Sequence, residues 1–333
     1  MREEMTTMAD AEFGSPAGPG RGRRSLRHVS RVSGSEPVQR GEGIVPAAQA
    51  LSTVAHPDTA APASPADGPQ SHSLMPLLSE PCLRRALRQC SRRASAPGAD
   101  GMTWGRLRSE AHVMLPQLAL ELTEGTWRPG SVREVLLPTY TGKQMYTFIP
   151  TVRDRLVHRA LRNALEPVLE AQAFHDWVSG FRPRRNRITA LRQAAVHHQA
   201  GFRWVADLDV ASVSEGATID EVIDWHAEYI HDGSFLARLR TALAAMPSPI
   251  AAGSGLAPLL INLRLSQVDK HMPQLRVVRF ADNYAAFAPT RDEAHSAFCA
   301  ISDALLRLRL WPNERKSRIR NDANVEDLFL IGG

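Results

Sequence analysis

The sequence is poor in cysteine, nearly devoid of lysine, and nowhere strings together enough apolar residues to cross a bilayer. Its three cysteines, Cys82, Cys90 and Cys299, are odd in number and lack metal-ligand spacing. That leaves no disulfide framework and no zinc ribbon to read, and predicts idle thiols in a reducing compartment. A transmembrane helix needs about 20 consecutive apolar residues, and no run approaches that length. The chain opens Met-Arg-Glu-Glu-Met with no apolar stretch behind it, which excludes a secretory signal. These absences predict a cytoplasmic protein with no membrane partner. No segment recurs at a fixed period, so a solenoid is excluded. Lysine stands only at 143, 270 and 316, so the formal charge of +5 is carried by arginine, whose planar fork grips two phosphate oxygens at once. A basic balance alone does not assign nucleic-acid binding.

What is present divides unevenly. Residues 1–75 are rich in Pro, Gly, Ala and Ser without periodicity, cannot bury enough apolar surface to offset chain entropy, and are expected to be disordered. A basic cluster at 21–31 reads either as a loose phosphate-binding arm or as a solvated charge run. From 76 to 333 the composition is that of a folded domain. Leu156, Val157, Ala160, Leu161, Ala164, Leu165, Val168 and Leu169 recur at helical spacing, with a kink or break predicted at Pro167. Residues 205–210 read as a strand, 256–269 as a helix, 275–287 as two strands around a turn at Asp282-Asn283, and 294–310 as a helix. Elements mixed in this order predict an α+β fold, a small antiparallel sheet backed by helices.

In Trp204-Val-Ala-Asp-Leu-Asp-Val210, alternation puts Trp204, Ala206, Leu208 and Val210 on one face and Asp207 and Asp209 with Val205 on the other. Two carboxylates so placed repel one another and are costly to desolvate unless a cation joins them. The alternative is a strand with one wet face and both acids solvated. Arg276-Val-Val-Arg-Phe-Ala-Asp-Asn-Tyr-Ala-Ala-Phe287 reads as a hairpin, and Asp-Asn suits the left-handed conformations of its turn.

The order of the motifs is more specific than any one of them. Pro97-Gly-Ala-Asp-Gly101 comes first, then Trp127-Arg-Pro-Gly130, Pro138, Gly142-Lys143 and Ile149-Pro-Thr-Val-Arg-Asp-Arg155. Leu165-Glu-Pro167, Phe174 and Ser179-Gly-Phe-Arg-Pro-Arg184 follow. After the aspartate strand come Gly253-Ser-Gly-Leu-Ala-Pro-Leu-Leu-Ile-Asn262, Arg279-Phe-Ala-Asp-Asn283, Asn313 with Lys316-Ser317, and Phe329-Leu-Ile-Gly332. This series resembles the bacterial reverse transcriptases of the group II intron and retron type over about three quarters of the chain. The resemblance implies the fingers and palm of a polymerase right hand and RNA-directed DNA synthesis by in-line phosphoryl transfer. In that chemistry two divalent cations about 3.5–4 Å apart stabilise the attacking and leaving oxygens. Mg²⁺ is the implied metal, with Mn²⁺ as its substitute, and Asp209 and Asp282 are its implied catalytic ligands, Asp207 tuning the local field. Lys143, Arg155 and Gly253 are implied to bind the nucleotide. Arg182, Arg184, Arg185, Arg187 and Lys316 are implied to hold RNA or DNA by sequence-independent charge pairing.

The departures gather where the chemistry should be. Asn283 replaces the second Asp of the hairpin, Met145 an Arg of the fingers, Val213-Ser214 two aromatics, and Ala252 a Gln. The sequence stops just after the Phe329 element, where a thumb is expected, so the reading is fingers and palm with no thumb, and a thumb or maturase region supplied by a partner. Weak or lost polymerase activity is expected. A non-catalytic nucleic-acid-binding protein and a truncated mobile-element fragment are the alternatives.

Overall fold

Leucines and alanines at three- and four-residue spacing build the first part of the molecule as helices packed on one another. The computed structural model describes residues 73–90, 96–138, 144–272, 274–322 and 324–329. Residues 1–72, which include the basic cluster and nearly all of the expected disordered segment, and Gly142-Lys143 lie outside them. After a short 3₁₀ turn at Met75–Leu78 come α1 (Glu80–Cys90), α2 (Trp104–Ser109), α3 (Ala111–Glu124), the strands β1 (Arg133–Pro138) and β2 (Gln144–Ile149), and α4 (Val152–Gln172). Next follow α5 (Arg187–Gln199), β3 (Trp204–Asp209), α6 (Ile219–Ala227), α7 (Gly233–Ala244) and α8 (Ala257–Asp269). The chain continues with β4 (Arg276–Phe280), β5 (Asn283–Ala288), α9 (Arg291–Leu306), β6 (Arg318–Asn321) and a 3₁₀ turn at Val325–Asp327. The α+β expectation is met, and among the described residues no helix is long and apolar enough to cross a membrane.

Local chemistry sets the helix starts. Thr151, Thr218 and Thr290 accept the amide of the third helical residue, and Asn186 and Thr218 form reciprocal capping boxes. Of the kink or break expected at Pro167, the break does not occur, because helix α4 continues through it to Gln172. Proline costs a helix interior about 3 kcal/mol, whereas Leu161, Leu165 and Leu169 around it are wholly buried and burial contributes about 1.5–3 kcal/mol each. Packing therefore outweighs propensity. Helix α9 stops at Leu306, short of the expected 310, where Arg309 turns left-handed (φ 55°) and the Leu310 amide folds back on the Leu305 carbonyl.

β1 and β2 form a separate antiparallel pair, and the other strands make one sheet in the order β4-β5-β3-β6. Both faces of that sheet are covered. Ala206 and Leu208 pack with Leu265, Val268, Ile301 and Leu305, while Val205, Val278, Ala285 and Phe287 pack with Ala190, Ala194, Leu328 and Phe329. The aspartate face of β3 is therefore not a plain wet face. The hairpin turn also differs from expectation. β5 already begins at Asn283, and the left-handed residue is Ala281 (φ 54°).

Candidate active site

The antiparallel register brings the two aspartate motifs together. Asp209, the last residue of β3, pairs with Asn283, the first of β5, and the Val210 amide donates to the Asp282 carbonyl at 3.0 Å. From the other side the 313–317 loop closes on the strand end. The Asn313 amide donates to the Asp209 carbonyl at 2.7 Å, and the Asp209 amide donates to Ser317 Oγ at 3.1 Å. That clamp puts the Lys316 ammonium 3.4 Å from the Asp209 carboxylate. A cleft of ≈ 270 Å³ opens here, lined by Asp207, Asp209, Asn283 and Arg318 from the sheet and by Arg315 and Lys316 from the loop before β6.

The carboxylates are not equivalent. Burial lifts Asp282 above the ordinary carboxylate range and the charge of Asp209 adds to the shift, while Lys316 and Arg279 oppose it. Asp207 is also raised, chiefly by burial, but Arg320 stands 3.1 Å from it. Asp207 is thus an ion-paired neighbour, whereas Asp209 and Asp282 repel one another at the end of a strand pair. Two such oxygen donors are of the kind that would hold a hard divalent cation. Among the described residues no group of three or more His, Cys, Asp or Glu converges on a further metal position. Asn283 does not replace the missing carboxylate. Its Nδ2 donates to Asp282 Oδ1 at 3.1 Å.

The structure distributes the other anticipated residues. Lys143 lies outside the described residues. Gly253 is left-handed (φ 97°), and a Cβ there would fall 2.1 Å from the Phe148 carbonyl oxygen. The Phe148 amide meanwhile donates to the Ala252 carbonyl at 2.9 Å. Glycine is therefore needed to seat this loop on β2. Arg155 lies on α4, donates to the Ala96 carbonyl at 3.0 Å and stacks 5.1 Å over Trp104, so it ties down the 97–101 element.

Arg182, expected to contact phosphate, faces inward. It is buried, pairs with Glu170 at 3.0 Å and donates to the carbonyls of His175 and Val178. The turn at 175–178 leaves carbonyls that need donors, and this guanidinium supplies them. Arg187 is spent similarly on the carbonyls of Glu326, Leu328 and Phe329. Arg185 pairs with Asp176 at 2.7 Å. Arg184, at φ 60°, is exposed and forms no ion pair among the described residues. Lys316, Arg315 and Arg318 are the basic side chains that line the cleft itself.

Residues that sequence reasoning missed hold the site from behind. Buried Arg264 donates to the carbonyls of Val213, Glu215 and Leu308, fixing the loop that follows Asp209. Arg279, Asp269, Tyr284 and Asn262 form a second buried set. An arginine inside the apolar stretch Leu-Ile-Asn-Leu-Arg-Leu265 was the available sign of the first.

Comparison with known proteins agrees with this geometry. Residues 141–326, more than half of the chain, match the family profile described as reverse transcriptase (RNA-dependent DNA polymerase). Protein YkfC of Escherichia coli (strain K12) is 29% identical over 196 residues, covering 55% of this chain and 51% of that protein. Group II intron-encoded protein LtrA of Lactococcus lactis subsp. cremoris is 27% identical over 216 residues, covering 62% of this chain and 35% of LtrA. The chain thus spans about half, or less, of the length of these curated relatives. A chain of a solved partial Cas6-RT-Cas1–Cas2 complex aligns over 72% of this chain and 42% of its own at 17% identity, with a TM-score of 0.40, too loose to carry argument.

Proposed function

The chain belongs to the reverse transcriptase (RNA-dependent DNA polymerase) family, and from that premise we propose that it binds RNA or DNA, holds Mg²⁺ at Asp209 and Asp282, and extends a primer only weakly. The family depends in general on divalent metal. The observation that carries the proposal is the meeting of Asp209 and Asp282, whose mutual repulsion a bound cation relieves. When bound, the metal supplies charge for the attacking and leaving oxygens of nucleotidyl transfer. The chain's own residues do the rest. Asp209 and Asp282 present hard oxygens, and Lys316 offsets the charge of Asp209 across 3.4 Å. Arg184, Arg315 and Arg318 grip phosphates without regard to sequence. A partner supplying a thumb or maturase region belongs to the same proposal.

Weakness follows from what the site has lost. Met145 is exposed in the fingers pair where the resembled pattern has an arginine, and Asn283 donates to Asp282 instead of adding charge. A phosphate charge left without its arginine raises both binding and transition-state free energies. The second reading, a non-catalytic nucleic-acid-binding protein, draws support from the same two contacts, since Lys316 and Asn283 give both carboxylates protein partners.

Primer extension on an RNA template with dNTPs and Mg²⁺ or Mn²⁺ separates them. Slow extension abolished by Asp282→Ala is expected. Extension that survives Asp282→Ala overturns the site assignment. No extension, alongside salt-dependent filter binding, selects the second reading.

A further inference from the structure

Behind the hairpin, Arg279, Asp269 and Tyr284 are almost completely buried, at 0%, 2% and 0% exposure. Arg279 donates to Asp269 Oδ2 at 2.7 and 3.2 Å, and the Tyr284 hydroxyl donates to Oδ1 at 2.8 Å. A buried ion pair recovers its desolvation cost only when the remaining N–H groups also find acceptors. Arg279 Nη1 finds two, Asn262 Oδ1 at 3.0 Å and the Ala281 carbonyl at 2.9 Å. Asn262 passes the connection on, donating Nδ2 to the Gly180 carbonyl at 2.8 Å. Through Asp269 and Asn262, the Arg279 guanidinium is thus linked to α8, to Tyr284 of β5 and to the 179–181 loop.

Ala281, immediately before Asp282, is strained at φ 54°. A non-glycine residue stays there only where its surroundings over-determine it. Gly180 presses on it so closely that a Cβ would fall 2.1 Å from the Ala281 nitrogen. The Ser179 amide bonds the Arg279 carbonyl at 2.8 Å, and the Arg279 amide bonds the Trp177 carbonyl at 3.0 Å.

We propose that Arg279, with Asp269, Tyr284 and Asn262, is a positioning device that holds Ala281 left-handed, so aims Asp282 at Asp209, and locks the loop leading to Arg184 into the same rigid piece. The proposal rests on the reading of Asp282 as a cation ligand and adds the residues that place it.

Asn262→Ala, Asn262→Asp and Tyr284→Phe test it in the full chain, by peptide-resolved hydrogen exchange and by Mn²⁺ binding followed by electron paramagnetic resonance. In Asn262→Ala, exchange should accelerate about tenfold at the Ser179, Arg279 and Val210 amides while α4 is unchanged, and Mn²⁺ affinity should fall several-fold. Asn262→Asp keeps the acceptor for Arg279 but loses the donor to Gly180. It should restore the hairpin amides and Mn²⁺ affinity while leaving Ser179 fast. Equal acceleration in α4, or no acceleration at the hairpin, overturns the device. If Asn262→Ala does not fold, Tyr284→Phe is read at the same amides, where unchanged exchange overturns it. A wild-type chain that binds no Mn²⁺ refutes the metal reading of Asp282, and the exchange pattern then still decides whether the network fastens hairpin and loop together.

Discussion

Replacing Asp269 by asparagine removes the one charge that faces Arg279 at 2.7 Å in a site where both side chains are at most 1% exposed. Breaking a buried pair from one side leaves an uncompensated charge and costs about 3–5 kcal/mol. In a chain of this size each kcal/mol moves Tm by about 2–4 °C, so Asp269→Asn should melt roughly 6–20 °C lower. The control is Lys270, next in sequence, whose pair with Glu228 is 40% exposed on each side. Lys270→Ala should cost less than about 1 kcal/mol, because exposed ion pairs are screened and entropically costly. Urea unfolding followed by tryptophan fluorescence measures both, through the midpoint at unchanged m. A loss for Asp269→Asn no larger than that for Lys270→Ala would refute the claim that this buried, charge-balanced network is an integral part of the core.

Two further outcomes follow from buried polar groups. Burial holds His158 and His226 neutral, each pushed from 6.5 down to about 4. The unfolded chain then binds more protons between those values, so stability is complete above about pH 6.5 and falls as pH drops towards 4, by about 3 kcal/mol per histidine. Urea midpoints should drop between pH 7 and pH 4.5, and less so in His226→Leu; a flat profile contradicts the assignment. Arg182→Ala should lower stability by about 1–3 kcal/mol, chiefly through the buried Val178 carbonyl it leaves without its donor, with nucleic-acid affinity at matched folded fraction unchanged. Arg184→Ala should do the reverse, weakening filter binding and reducing its salt slope by about one. The opposite pattern would return Arg182 to the phosphate contacts.

Much of the scaffold was legible because its signals are local. The alternation in Trp204–Asp209 predicts a strand with paired aspartates on one face, and that strand forms. The resemblance implies Asp209 and Asp282 as ligands of one metal, and the strand register brings their two motifs together; the pairing of Lys316 with Asp209 comes only with the 313–317 clamp. What local spacing does not show depends on partners distant in sequence. Arg182 belongs to a motif that suggests phosphate, yet Glu170 and two carbonyls claim it. Gly253 suggests a nucleotide contact, yet Phe148 of β2 is what requires it to be glycine. The left-handed residue of the hairpin is Ala281, where composition favours Asp or Asn, and it packs against Gly180, about a hundred residues away in sequence.

By itself, the sequence determined the family, the α+β class and the pair of aspartates, since periodicity and motif order are properties of neighbouring residues. Tertiary structure alone decided which charges are spent inside and which face outward. Desolvation makes an arginine's role depend on the acceptors packed around it, and those acceptors arrive from elements that no local spacing announces.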